Sequence, residues 1–117
     1  MPSNGPIREG FLAIVVGPYR DPRGPWFIVQ NIRAAEAVSL ELWQAGIANI
    51  CPHLNSSLMD GAAPDEVWLA GGLEMLRRCD AVVVLPGWEL STGTAAEVTE
   101  AMLYGKPIYY WPHIEGL

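Results

Sequence analysis

Two short runs that contain only apolar residues constrain the fold of this chain most strongly. The runs cover residues 11–16 (FLAIVV) and 81–85 (AVVVL), and they end in Gly17-Pro18 and Pro86-Gly87. A strand with one solvated face alternates apolar and polar residues, whereas a strand that is apolar at every position is typical of a parallel sheet covered on both faces. Both runs are therefore predicted to be central parallel strands.

Segments with helical periodicity separate these strands. Helices are predicted at 27–44, from Pro64 to about Arg78, and at 91–104, with shorter strands at 47–51 and 108–111. Residues 53–63 are predicted to form a polar loop. The alternation predicts an α/β fold, a small doubly wound (Rossmann- or flavodoxin-like) sheet of four parallel strands in the order 2-1-3-4 with helices on both faces.

The length of 117 residues suits one domain, which we expect at residues 11–117 behind a flexible N-terminal arm at residues 1–10. No apolar run reaches the roughly 20 residues of a membrane helix, and the arm lacks the cationic start of a secretory signal. A soluble, cytoplasmic protein that does not bind membranes is expected. Seven basic and 13 acidic residues give a net charge of −6, which excludes general nucleic-acid binding.

The cysteines and histidines do not form a metal or redox motif. Cys51 and Cys79 border predicted strands and stand outside any CxxC pattern, so we expect buried structural thiols. His53 and His113 lie far apart in the sequence and have no carboxylate at ligand spacing. We therefore expect no metal and no cofactor.

Ligands of such sheets bind at the carboxyl ends of the strands where the strand order reverses, which here means the loops at residues 17–25 and 86–92. The first loop carries Tyr19, Arg20 and Arg23 and suits an anionic or ring-bearing ligand. The alternative is a rigid turn whose arginines pair with Asp21 or with glutamates. The GxGxxG, GxxxxGK[ST] and GxSxG motifs are absent from the sequence.

The second loop opens a helix with hydroxyl side chains and then an acid. Free amide groups at the helix start, together with Ser91, Thr92 and Thr94, could bind an oxyanion or a phosphate. Glu97 shares a helix face with Gly93 and Thr94, so its carboxylate can reach the crevice. The alternative is that Glu97 is a solvated acid near a positive helix end and that Ser91 is only an N-cap. Glu100, one turn further along, is a weaker candidate.

The motifs in their order resemble the nucleoside 2-deoxyribosyltransferase-like superfamily over nearly the whole chain from Phe11. They are Gly17-Pro18-Tyr19, Asn31, Ala34-Ala35, Cys51-Pro52-His53, the segment 79–89 (CDAVVVLPGWE), Ser91-x-Gly93-x-x-x-Glu97 and Gly105-Lys106-Pro107. The segment LPGWE-x-S-x-G is similar to a small bacterial and phage branch of that superfamily.

This resemblance implies that Glu97 attacks the anomeric carbon of a nucleoside, after which water or a second base resolves the glycosyl-enzyme. Six residues before the nucleophile, transferases of the family usually carry an aspartate and nucleoside-monophosphate hydrolases carry a phosphate-binding serine; here the residue is Ser91. We therefore expect hydrolysis of the N-glycosidic bond of a nucleoside 5′-monophosphate. The alternatives are base exchange by a 2-deoxyribosyltransferase and a non-catalytic nucleotide-binding module.

Ten residues are predicted to contact this small-molecule nucleotide or nucleoside: Gly17, Tyr19, Arg20, Arg23, His53, Trp88, Glu89, Ser91, Gly93 and Thr94. One position departs from the family, since Gly72 stands where an aspartate is common, eight residues before Asp80. The group that protonates the leaving base is therefore unassigned, with Asp65, Glu66, Glu74, His53 and Glu89 as candidates. Asp80 precedes its strand and is expected to be a structural cap. Eleven aromatic residues exceed what a small core hides, so we expect a homodimer or a higher homo-oligomer.

Overall fold

The computed structural model describes residues 5–8 and 10–114. Four strands and four helices follow one another in these residues, with two consecutive helices between the second and the third strand. The strands are β1 (Leu12–Val16), β2 (Ala48–Ile50), β3 (Ala81–Val84) and β4 (Ile108–Tyr110). The helices are α1 (Pro25–Gln44), α2 (Pro52–Asn55), α3 (Asp65–Arg78) and α4 (Thr92–Leu103), and a single 3₁₀ turn covers Trp88–Leu90.

All four strands are parallel and lie in the order β2-β1-β3-β4, which confirms the predicted topology. Ala13 and Val15 of β1 face the layer formed by α1, whereas Ile14 and Val16 face α3 and α4. Both faces of β1 are thus buried under helices, which is why its sequence shows no alternation. β3 is divided between the two layers in the same way.

The boundaries differ from the predicted ones where proline sets them. α1 begins at Pro25, two residues earlier than predicted, because proline is favourable at the first helical position and follows Gly24 with its φ of 127°. α3 begins at Asp65, so Pro64 precedes the helix as its N-cap residue. The predicted polar loop is wrong at its start, since Pro52–Asn55 form the short helix α2.

Asp80 binds the backbone at the start of β1, as predicted for a structural cap. Its carboxylate accepts a hydrogen bond from Leu12 N at 2.8 Å, and its own amide donates to Leu12 O at 2.8 Å. Cys51 and Cys79 are free and buried, as expected for structural thiols, and burial raises the pKa of both.

The predicted N-terminal arm lies in part outside the described residues, namely at positions 1–4 and 9. Ile7, within this arm, is buried against the core on the α1 side of the sheet. The arm therefore packs on the domain at this position. Over the ranges 5–8 and 10–114, no helix is long and apolar enough to cross a membrane.

Candidate functional site

Gly17 and Leu85 bring the two predicted site loops together at the ends of β1 and β3. A Cβ atom on Gly17 would lie 2.7 Å from the Cβ of Leu85, closer than such atoms approach in proteins. Leu85 N donates to Val16 O at 2.9 Å, which continues the ladder to this point. Glycine at position 17 is therefore required for the close approach of the two loops, as the predicted strand order demands.

Ser91 is the N-cap of α4. Its hydroxyl oxygen accepts hydrogen bonds from the backbone N of Thr94 at 3.3 Å and from the Thr94 hydroxyl at 2.8 Å. A serine oxygen has two lone pairs, and both are used here. The Ser91 hydroxyl hydrogen is therefore left to donate to a ligand, so the capping role and a ligand-binding role are compatible.

The amides of Thr92 and Gly93 begin α4 beside this hydroxyl. Within the described part of the chain neither amide has an acceptor, whereas the next amides of the helix bond to Ser91. Gly93 also lies near α3, since a Cβ there would be 4.0 Å from the Cδ1 of Leu69. The start of α4 thus offers three adjacent donors, two amides and one hydroxyl, at the positive end of a helix.

Glu97 lies on α4 one turn beyond Thr94, and its carboxyl group faces α3. A Cβ atom on Gly72 would be 3.5 Å from Glu97 Oε2. The carboxyl group makes no hydrogen bond and no ion pair with any residue that the structure describes. Burial, which disfavours the charged form, raises the pKa of Glu97 to about 7. Glu97 is therefore a desolvated carboxyl group whose oxygens are free to meet a ligand.

Glu100 has a different environment although it lies only one turn away. Its Oε2 accepts from Arg77 Nη2 at 2.8 Å, in an ion pair that joins α4 to α3. Arg77 also contacts Glu74 at 3.3 Å. The carboxylate of Glu100 is occupied by this structural contact, which favours Glu97 as the chemically available acid of the helix.

Both arginines of the first loop are paired with aspartates. Arg20 forms ion pairs with Asp60 at 2.7 Å and with Asp65 at 2.9 Å, and these contacts raise its pKa. Arg23 pairs with Asp21 at 2.8 Å. An anionic ligand would have to compete with these carboxylates for either guanidinium group. The Arg23–Asp21 contact is the one anticipated for a rigid turn.

Tyr19 and His53 anchor the first loop to the rest of the domain. Their rings meet edge to face with centroids 5.3 Å apart, and His53 Nε2 lies 2.9 Å from the carbonyl oxygen of Pro18. This contact requires the imidazole proton on Nε2. Burial lowers the pKa of His53, so the ring is neutral near pH 7. Asn31 of α1 donates to the Tyr19 carbonyl at 3.0 Å, which fixes the loop from the other side.

Trp88 and Glu89 line a shallow cavity of about 400 Å³ at the carboxyl ends of β3 and β4. The ring of Trp88 is 5.9 Å from that of Tyr110, and the side chain of Glu89 is exposed. Glu97 is not among the residues that line this cavity. The predicted site residues thus occupy three neighbouring regions: the first loop, the start of α4 with Glu97, and this aromatic cavity.

Some residues of these regions escape sequence reasoning. The two aspartates that hold Arg20 lie 40 and 45 positions away, with nothing in their local pattern to connect them to it. Tyr110 and Trp111 line the cavity, whereas the number of aromatic residues in the sequence predicted only an interface between copies of the chain. The contact of Gly72 with Glu97 comes from the packing of α3 on α4, and the sequence shows only that a glycine stands where the family commonly has an aspartate.

Comparisons with known proteins agree with this architecture. A solved structure of the 2-deoxyribosyltransferase from the psychrotolerant bacterium Bacillus psychrosaccharolyticus matches with a TM-score of 0.58 and 18% sequence identity, over 85% of this chain and 70% of that chain. At this identity the likeness shows a shared fold. No curated protein matches the sequence. The model of a family described as a domain of unknown function, DUF7768, matches residues 12–111. The chain therefore belongs to the DUF7768 family.

Proposed function

We propose that the protein hydrolyses the N-glycosidic bond of a nucleoside 5′-monophosphate, with Glu97 as the nucleophile. The observation that carries this proposal is the partly buried Glu97 carboxyl group, which has no partner among the described residues and whose pKa is raised by desolvation. Carboxyl groups in structural ion pairs, such as that of Glu100, lack this freedom. The fold shared with a 2-deoxyribosyltransferase supports nucleoside chemistry over other uses of such a carboxylate.

The reaction proceeds in two displacements. The Glu97 carboxylate attacks the anomeric carbon, the bond to the base nitrogen breaks with its electron pair going to the base, and a glycosyl ester forms. A water molecule then attacks the same carbon and releases (deoxy)ribose 5-phosphate and the carboxylate. The departing base must gain a proton. Because Gly72 offers none, the proton comes from solvent or from Glu89 at the mouth of the cavity.

The start of α4 is the proposed phosphate site. The free amides of Thr92 and Gly93 and the hydroxyl hydrogen of Ser91 can all donate to one dianionic group. Hydrogen bonds to a charged group contribute about 1.5–3 kcal/mol each. This arrangement requires no lysine or arginine, which is consistent with Arg20 and Arg23 being engaged by aspartates.

Base exchange is the second candidate, and the fold match favours it because the matched protein is named as a 2-deoxyribosyltransferase. In that reaction a second base, instead of water, attacks the glycosyl ester. A non-catalytic nucleotide-binding module is the third candidate, favoured by the glycine at position 72.

One panel separates the three candidates. The protein is incubated with ribo- and deoxyribonucleoside monophosphates and with the free nucleosides, each with and without a second base, and free base is measured by chromatography. Release from monophosphates without added base supports the hydrolase. Turnover only with a second base supports the transferase. Binding by calorimetry without any base release supports the binding module and overturns both enzymatic proposals.

A further inference from the structure

The outward face of α1 carries six exposed residues at heptad spacing, which we call the α1 stripe. The steps alternate between three and four residues, and the members are Trp26, Val29, Arg33, Glu36, Leu40 and Trp43. Trp26 and Trp43 expose 66% and 55% of their surfaces. The residues of α1 that pack on the sheet lie on the opposite side of the helix. An apolar stripe at this spacing is what one helix of a coiled coil presents to another.

The α1 stripe has the same pattern in both directions. Its midpoint falls between Arg33 and Glu36, with an aliphatic residue next on each side and a tryptophan at each end. We consider two antiparallel copies of the helix with a twofold axis at this midpoint. Trp26 of one copy then faces Trp43 of the second, Val29 faces Leu40, and Arg33 faces Glu36. Every contact across the axis is apolar with apolar or positive with negative.

The charges at the centre of the stripe select the antiparallel orientation. A parallel pair would place Arg33 against Arg33 and Glu36 against Glu36, which is unfavourable. In the described chain neither side chain forms an ion pair, so both are free to pair between copies. The neighbouring positions along one flank of the stripe carry no charge: Gln30, Ala37 and Gln44. The stripe is therefore neutral although the chain carries a net charge of −6.

We propose that the α1 stripe binds a second copy of this chain through an antiparallel, twofold-symmetric helix pair. The helix has 20 residues and so extends for about 30 Å. Four tryptophans and four aliphatic residues meet in the pair and bury an area on the order of 1,000 Å², at the lower limit for specific interfaces. We therefore expect a dimer that dissociates at about micromolar concentration. None of the six residues belongs to the Glu97 region, so this inference is independent of the proposed function.

Charge reversal at the centre of the stripe tests the proposal by sedimentation velocity across a concentration series. Arg33→Glu and Glu36→Arg each place like charges at both central contacts, so each variant should dissociate at least about tenfold more readily than the wild type. The double variant Arg33→Glu/Glu36→Arg restores opposite charges and should dimerise like the wild type. Glu41→Arg is the matched control for Glu36→Arg, because it makes the same change of charge on α1 but away from the stripe. This variant should leave the dimer intact.

A mixture of the two single variants gives the most specific test of the antiparallel pairing. In a mixed pair both central contacts join opposite charges, so two variants that are monomeric alone should form a heterodimer at a one-to-one ratio. Circular dichroism and the urea unfolding midpoint establish that each variant is folded. The proposal is overturned if the wild-type protein is still a monomer at a concentration 100 times the expected dissociation constant of the dimer. The proposal is also overturned if the single charge reversals leave the dimer unchanged, or if the mixture of the two variants stays monomeric.

Discussion

Gly72 of α3 lies directly opposite the Glu97 carboxyl group of α4, with a Cβ at position 72 falling 3.5 Å from Glu97 Oε2. This distance is an ordinary van der Waals contact, so the glycine is not required by crowding. Its φ is not positive either, and the helix runs through it without interruption. Neither packing nor backbone conformation explains a residue that weakens the helix, and we infer that glycine at position 72 leaves room for a substrate beside Glu97.

The neighbouring Gly71 provides a matched control for this interpretation. It is exposed, and a Cβ there would contact nothing within 4 Å. Alanine stabilises a helix interior by up to about 1 kcal/mol relative to glycine, so Gly71→Ala and Gly72→Ala should both raise the free energy of unfolding in urea. If the substrate uses the space beside Glu97, Gly72→Ala alone should lower kcat/KM, by about tenfold or more, whereas Gly71→Ala should leave it unchanged. Equal kinetics in the two variants would contradict this function for Gly72.

The raised pKa of Glu97 has a consequence for stability. The carboxyl pKa is about 7 in the folded chain against an ordinary value of 4.5, so the folded state binds more protons between these two pH values. The free energy of unfolding should therefore fall as pH rises from about 4.5 to 7 and then level off. Glu97→Gln removes this titration and should be more stable than the wild type by about 1–3 kcal/mol at pH 8. Below pH 4.5 the difference should disappear.

This prediction is checked by urea denaturation of the two proteins across the pH range. Taking the difference between them cancels other groups, including His53, whose lowered pKa destabilises the fold as pH falls below about 6.5. A difference that does not change between pH 4 and pH 8 would show that the Glu97 carboxyl group is not desolvated.

The same pKa governs activity if Glu97 is the nucleophile. Only the ionised carboxyl group can attack the anomeric carbon, so kcat/KM for base release should rise with pH to a plateau, with a midpoint at about 7. Gly72→Asp would add a second carboxylate beside the first and should move this midpoint upward by about one pH unit. An unchanged midpoint in that variant would assign the titration to another group.

Replacement of the two acids of α4 separates chemistry from structure. Glu97→Gln should abolish base release while the protein stays folded, because an amide cannot act as an anionic nucleophile. Glu100→Gln removes the charge that pairs with Arg77 at 2.8 Å, so it should weaken the fold and leave most of the activity in place. Turnover is measured at saturating substrate, with circular dichroism as the control for folding. Wild-type turnover in Glu97→Gln would exclude Glu97 from the mechanism.

The topology could be predicted from the sequence because burial on both faces removes polar residues from a strand. The runs at residues 11–16 and 81–85 therefore identify β1 and β3 without ambiguity, and helical segments between parallel strands leave few arrangements. Sequence patterns do not identify the helix α2 because it has only four residues, begins with a proline and opens a polar segment that has the composition of a loop. In such short elements tertiary contacts, here the one between His53 and Pro18, decide the conformation.

The candidate site could be predicted only in part, for a similar reason. Ser91, Gly93, Thr94 and Glu97 lie on one helix start, so helical geometry alone relates them to one another. The partners of Arg20 come from distant segments, and sequence spacing carries no information about such contacts. The desolvation of Glu97 likewise depends on how closely α3 approaches α4, which is a property of the packed structure.

Substitution of Ser91 tests the phosphate site and with it the proposed substrate class. Ser91→Asp keeps an N-cap acceptor for Thr94 but replaces the donating hydroxyl with a negative charge beside the free amides of Thr92 and Gly93. A dianionic phosphate is then repelled, so KM for the nucleoside monophosphate should rise by about tenfold or more, while hydrolysis of the free nucleoside changes little. Ser91→Ala should have a smaller effect on KM, since both amides remain to bind the phosphate. The measurement is steady-state base release from the monophosphate and the nucleoside in parallel. A wild-type preference for the free nucleoside, or an equal effect of Ser91→Asp on both substrates, would reject the monophosphate and favour base exchange.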